Sequence, residues 1–228
     1  ARIVASRAEI DPEKASASLS ITIDSGPAFY LGALQVSGLQ ELPADLVERY
    51  SELKVGEPYD REKLLAFQTG LQNTPHFASV IVDIDRDPAR AAAVPVQVQV
   101  SEALPKRAGF GVGMSTNTGF RVEASYRDVN LRQRGWELST GLRLEQRRQS
   151  AYADVFLPPD RDRRQRDSFG TFVERSDIQG LALERVAFAA SRVQQRGSIE
   201  QRFGVNWQYE RQNTEGEAES TNQALTAQ

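Results

Sequence analysis

The residue types that most often carry chemistry are scarce in this chain of 228 residues. It has no cysteine and a single histidine, His76, so thiolate catalysis, disulfides and Cys-based zinc sites are excluded. His76 falls in the turn before Phe77, where a lone histidine is far more often structural or solvated than catalytic. Asp83 and Asp85 share one strand face at a separation that suits paired carboxylates. No base, nucleophile or pocket pattern accompanies them, so a solvated sheet face accounts for both. Gly109-Phe110-Gly111-Val112-Gly113 invites comparison with a phosphate-binding loop. That chemistry needs a helix N-terminus after the glycines, and Asn117-Thr118-Gly119 with another alternating strand follows instead. The segment reads better as a strand with Phe110, Val112 and Met114 on one face and glycines on the other. The run from Asp160 to Asp167 mixes signs; a solvated turn is the leading reading, with contact to lipid phosphates as the alternative. These residues predict neither an enzyme nor a metal or cofactor site.

Bulk properties agree. The net charge of -3 provides no overall basic field to attract nucleic acid. Mean hydropathy is -0.49, and no apolar run approaches the roughly 20 residues of a membrane helix. Strands that cross a membrane are not excluded, because they alternate apolar and polar residues and average to low hydropathy.

The first hundred residues mix strand and helix signals. Ala17–Asp24 alternates and ends at the turn Ser25-Gly26-Pro27, with Arg2–Glu9 as its partner across Asp11-Pro12-Glu13-Lys14. Phe29–Val36 predicts a strand, Pro43–Leu53 a helix, and Asp60–Gln72 a second helix N-capped by Asp60, its period carried by Leu64, Leu65, Phe67, Gln68 and Leu71. Strands follow at Phe77–Asp85 and Val94–Val100, so the order from Phe29 is β-α-α-β-β. From Ala108 helical periodicity disappears. Phe120–Arg127, Trp136–Glu145 and Ile199–Glu210 alternate strictly, and weaker strands occupy Arg107–Ser115, Ala151–Leu157, Ser168–Glu174, Leu181–Val193 and Ser220–Ala227. A phase change near Glu184-Arg185 suggests a bulge. These make about eight strands, several near the 9–11 residues that cross a bilayer at a tilt.

A water-soluble antiparallel sandwich would show the same alternation. Three features favour a membrane barrel: strands longer than the usual ~5–6 residues, aromatics near strand ends, and a polar face dense in Arg and Glu. Tyr126, Trp136, Phe203, Trp207 and Tyr209 are the expected lipid-facing or girdle residues. The last residues, Ala224 to Gln228, lack the aromatic end of a finished barrel, so a truncated larger barrel is expected.

The β-α-α-β-β unit resembles a POTRA (polypeptide-transport-associated) domain. The likeness rests on Gly26-Pro27-Ala28-Phe29-Tyr30-Leu31-Gly32, Val36-Ser37-Gly38, Gly56-Glu57-Pro58-Tyr59, Leu64, Leu71 and His76-Phe77-Ala78-Ser79-Val80. The turn Asp128 to Gly135 before Trp136 is similar to the Asn-Leu-Phe-Gly-Arg-Gly turn after the second barrel strand of the BamA/TamA-type outer-membrane assembly superfamily, with Arg132 and Gln133 in place of Phe-Gly. The whole pattern looks most like the TamA branch. The resemblance implies an α+β POTRA domain followed by the N-terminal part of an antiparallel transmembrane β-barrel. Residues 1–25 would be the last hairpin of a preceding POTRA domain, 26–104 a POTRA domain, and 105–228 the first barrel strands. It further implies an outer-membrane location with the POTRA portion in the periplasm, and a role in assembling or inserting outer-membrane proteins, including autotransporters. Clients would add as strands to an edge bearing Phe77, Val80, Val82 and Ile84. Gly109, Phe110, Gly111, Val112, Gly113 and Met114 would form a weak lateral seam, since glycine weakens strand pairing. Expected partners are unfolded outer-membrane or autotransporter clients, a TamB-like periplasmic protein, and outer-membrane lipid. A two-partner-secretion pore for one dedicated client is the first alternative; a soluble β-sandwich adhesin with an α+β domain is the second.

Overall fold

The computed structural model describes residues 2–11, 16–24, 26–160, 165–178, 180–196, 199–214 and 220–227. Three sheets account for its strands. The first is the hairpin of β1 (Arg2–Asp11) and β2 (Ser16–Asp24). Its register puts Ile10, Ala8, Leu19, Ile21 and Ile23 on one face, and Glu9, Arg7, Ser18, Ser20 and Thr22 on the other. The proposed Asp11–Lys14 turn lies largely outside the described residues.

The second sheet holds β3 (Leu31–Ser37), β4 (Phe77–Ile84) and β5 (Val94–Glu102), in the order β3-β5-β4. Central β5 runs parallel to β3 and antiparallel to β4. Its residues Val94, Val96, Val98 and Val100 are all buried, while Gln97, Gln99 and Ser101 face solvent. The apolar face is covered by helix α2 (Arg61–Gln72), whose Leu64, Phe67 and Leu71 lie one helical turn apart and are buried. Asp60 caps α2 as expected, its Oδ1 accepting the Glu62 amide at 2.8 Å. Leu65, expected inside, is 49% exposed.

Helix α1 (Leu46–Arg49) is a single turn rather than the helix expected over Pro43–Leu53. The Tyr50 and Ser51 amides bond to the Val47 and Glu48 carbonyls, tight three-residue steps that end a helix. Between β3 and α1, Gly38 has φ 92° and a Cβ there would strike the Val100 carbonyl oxygen, so a side chain is excluded on both counts.

The third sheet is an eight-stranded antiparallel meander: β6 (Lys106–Ser115), β7 (Gly119–Leu131), β8 (Trp136–Glu145), β9 (Arg148–Phe156), β10 (Gln165–Ile178), β11 (Leu181–Arg196), β12 (Ile199–Thr214) and β13 (Ser220–Ala227). Every strand pairs with its sequence neighbours. The bulge expected at Glu184-Arg185 is absent, since β11 keeps unbroken register with β10 and β12. Leu181 and Leu183 instead lie on the opposite face from Val186, Phe188 and Ala190, so the hydropathy changes face while the backbone does not shift.

One face of this sheet is apolar and the other charged. The charged face carries ion pairs from Glu123 to Arg121 (3.1 Å) and Arg143 (2.8 Å), from Arg148 to Glu174 (3.0 Å) and from Arg185 to Glu210 (2.9 Å). The apolar belt crosses the hydrogen-bonded rows obliquely. One row runs Val112, Val122, Leu144, Gln149, Arg175, Glu184, Arg211, changing from apolar to charged. A lower row runs Lys106, Asp128, Leu138, Val155, Phe169, Ala190, Val205, changing the opposite way. An apolar band level with a bilayer must cut the rows in this manner, because barrel strands tilt by about 35–45°.

Candidate functional site

Two strand edges and the junction between them form the candidate site. β4 is an edge of its sheet. Phe77, Val80 and Ile84 point into the core and Val82 is half-buried, so a docking strand would meet the β4 backbone rather than these side chains. Part of that backbone is already occupied. The Val82 amide donates to Gln68 Oε1 on α2 at 3.1 Å, and the Ile84 amide donates to Asp83 Oδ1 at 2.8 Å. In antiparallel pairing alternate residues turn their amides away from the partner, and these two caps lie on that outer side. A Phe77/Ser79 register shift in the pairing with β5 precedes them and places Ile81 on the solvent face, 57% exposed. Asp85 is paired with Arg90 at 3.1 Å, so the two carboxylates do not act together.

β6 is an edge of the eight-stranded sheet and pairs with β7 from Lys106 to Ser115. Phe110, Val112 and Met114 are 87%, 88% and 76% exposed on the apolar face. Gly109, Gly111 and Gly113 lie on the charged face beneath Ser125, Glu123 and Arg121 of β7. The glycines admit those side chains over β6 and contribute no packing of their own.

The POTRA-type sheet and the barrel sheet are joined by a dense junction. Glu102, the last residue of β5, accepts the amides of Gln40 (2.7 Å), Glu41 (3.1 Å) and Leu42 (3.0 Å). Burial pushes this carboxyl up, but the three amides outweigh it and hold Glu102 below the usual carboxylate range. The Glu41 carbonyl in turn accepts Asn130 Nδ2 at 3.0 Å, from the end of β7. Asn130 Oδ1 accepts the Gly135 amide at 3.0 Å. Gly135 has φ 66° and lies against Leu46 of α1, where a Cβ would sit 3.0 Å from Leu46 Cδ1.

His76 is sealed into this junction, 3% exposed, between the rings of Tyr50 and Phe77. Burial pushes its pKa down to about 4, a hydrogen bond to the Val129 backbone opposes this, and nearby Arg127 adds to it. The histidine is therefore neutral packing. Tyr50 reaches toward the barrel, with the Arg166 guanidinium of β10 over its ring at 5.5 Å. Its hydroxyl pKa is raised, by burial first, with Arg166 opposing, Glu137 reinforcing and Arg49 opposing. Residues 161–164 of the mixed-charge run lie outside the described residues; Arg166 and Asp167 from the same run are engaged by Tyr50 and Arg192.

The expected aromatic residues share the apolar face. Tyr126 reaches Asp128 Oδ2 at 3.4 Å and Trp136 lies under Arg134 at 5.5 Å, both at the junction end of their strands. Phe203 and Tyr209 bracket the apolar run of β12, while Trp207 sits inside it, stacked on Phe188 with centroids 5.6 Å apart. Glu102 carried no sequence signal, Gln68 was read only as part of the helical period and Asn130 only as part of the Asp128–Gly135 turn; their roles come from contacts between elements.

Residues 29–103 match the POTRA family, described as surface antigen variable number repeat. The fold aligns over 98% of this chain with BamA from Haemophilus ducreyi lacking POTRA domains 1-3, at TM-score 0.65 and 12% identity, covering 47% of that chain. It also aligns over 99% of its length with CdiB from Acinetobacter baumannii, at TM-score 0.58 and 12% identity, covering 46% of that chain. This chain thus spans about half the length of both. Its architecture is a POTRA domain followed by the N-terminal part of an antiparallel β-barrel, with the fold shared by BamA and CdiB.

Proposed function

We propose that the chain is part of an outer-membrane assembly factor of the TamA type, with its POTRA portion in the periplasm, which helps outer-membrane and autotransporter proteins to insert. The observation that carries this reading is the glycine-bearing edge strand β6, exposing Phe110, Val112 and Met114 directly after a POTRA domain that is hydrogen-bonded to the barrel sheet through Asn130 and Glu41. A client strand would first pair with β4 by backbone hydrogen bonds and then be templated at the β6 seam. No cofactor enters this mechanism. The amphipathic hairpin β1–β2 suits the end of a preceding POTRA repeat, and a TamB-like protein is the proposed periplasmic partner.

Site-specific photo-crosslinking in the full-length protein tests this reading. Crosslinkers at Met114 and at Ile81 should both capture a nascent outer-membrane client; capture at neither position overturns it. The ion-paired face of the barrel sheet supports a second reading, a two-partner-secretion pore with a wet lumen for one client. A large, constantly open conductance of the full-length protein in planar bilayers would favour the pore.

A further inference from the structure

On the apolar face of the barrel sheet, away from both edges, lies a groove of about 360 Å³. Its walls are Leu142 on β8 and Val173 and Val186 on β10 and β11, with Ala151 of β9 as its floor. These four residues share one hydrogen-bonded row. The next row, farther from the POTRA domain, supplies Gln149, Arg175 and Glu184, which also line the groove, and continues to Arg211.

The apolar trough therefore ends at the pair of Arg175 and Glu184, of which the cation is the more exposed partner. The Arg175 side chain is 77% exposed, and its contact with Glu184 at 3.7 Å is longer than a hydrogen bond. The cation on the same face at the POTRA end differs: Arg192 is held by both oxygens of Asp167, at 2.7 and 2.9 Å. Strands β8 to β11 each pair on both sides, so no backbone edge is open to a peptide here. A chain of methylenes under an anionic head fits the trough; a protein strand does not.

We propose that this groove seats one acyl chain of a phosphorylated glycolipid of the outer leaflet, with a lipid phosphate on the Arg175 guanidinium. The leaflet follows from the groove's charged end pointing away from the POTRA domain, so the inference rests on the membrane-barrel reading above. A guanidinium forks two N–H groups onto a phosphate; the Gln149 amide beside it already donates to the Glu145 carbonyl at 2.9 Å, so Arg175 carries the headgroup contact.

The test uses the full-length protein in phosphatidylcholine nanodiscs, with diphosphoryl lipid A and its dephosphorylated form as probes and native mass spectrometry as the readout. The phosphorylated lipid should be retained preferentially. Arg175→Gln should weaken that retention about fivefold, the worth of one guanidinium near a lipid headgroup. Ala151→Trp, which fills the floor, should remove retention of both forms. Equal retention of the two lipids by the unsubstituted protein, or retention unchanged by both substitutions, overturns the groove. Heat-modifiable electrophoretic migration separates the two levels of failure. A heat-modifiable protein with equal retention sinks the groove alone, whereas a chain that stays soluble without lipid and shows no heat-modifiability sinks the barrel reading and the groove with it.

Discussion

Two sheets in this chain use the same two-residue alternation for opposite ends. In the POTRA sheet, Val94, Val96, Val98 and Val100 vanish beneath α2 and the chain buries its own apolar face. In the barrel sheet, Phe110, Val112, Phe120 and Val122 alternate as regularly yet remain more than half exposed, because no helix among the described residues covers them. The difference teaches that alternation specifies a strand with an apolar face, whereas the covering material is decided elsewhere. For the first sheet that cover is helix α2; for the second, the proposed membrane-barrel reading supplies it as lipid.

Substitutions can break this contrast. The largest effect is expected for Leu71→Ala, which empties a fully buried site and should destabilise the POTRA domain by about 2–5 kcal/mol, read by hydrogen exchange of its amides. Val112→Ala, at 88% exposure, should leave stability in detergent nearly unchanged. An equal loss at the two sites would erase the distinction. Next comes Leu142→Arg on the belt, expected to cost about 2–4 kcal/mol in a bilayer, against little for Ser139→Arg on the charged face. Urea titration of refolded protein in vesicles reads both, and equal tolerance would argue for a soluble sandwich.

Acid should weaken the junction between the sheets. His76 is held neutral, its pKa lowered from 6.5 to about 4, so the folded form binds fewer protons than the unfolded form between those values. Its contribution is fully present above pH 6.5 and is lost as pH falls toward about 4. At about 1.4 kcal/mol per pH unit the loss is on the order of 3 kcal/mol. Glu102 acts in the same direction lower down: its depressed pKa gives stability present above the unfolded value of 4.5 and lost as pH falls through the folded value. His76→Asn should flatten the upper part of the pH profile of junction amide exchange, and an unchanged slope would remove His76 from this role. The smallest effect is expected for Gln68→Ala. Losing one hydrogen bond to the Val82 amide should cost about 1 kcal/mol, and that amide should exchange faster while client capture at β4 rises. Slower capture would make Gln68 part of the docking surface rather than its resident cap.

Much of the architecture is legible in the sequence. Asp60 before a run with Leu64, Phe67 and Leu71 at helical spacing marks α2 and its cap, and the strict alternation of Phe120–Arg127 and Trp136–Glu145 marks barrel strands. Local rules sufficed because period and capping are properties of neighbouring residues. They misplaced Leu65, stretched α1, and put a bulge at Glu184-Arg185. Around Leu65 and on both sides of Glu184-Arg185 several apolar residues lie close together, and periodicity alone could not say which of them found a covering surface; α1 instead ends early in the tight steps at Tyr50 and Ser51.

By itself, then, the sequence determined the β-α-α-β-β order, the two-faced barrel strands, and the absence of thiol chemistry. Tertiary structure alone decided that Gln68 and Asp83 occupy the β4 edge, that Glu102, Asn130 and Gly135 tie the two sheets together, and that His76 is sealed neutral between them. The physical reason is range. Helical and strand periods are set by residues a few positions apart, whereas Asn130 meets Glu41 across 89 positions and Glu102 meets Gln40 across 62. Contacts of that kind exist only once the chain has closed on itself.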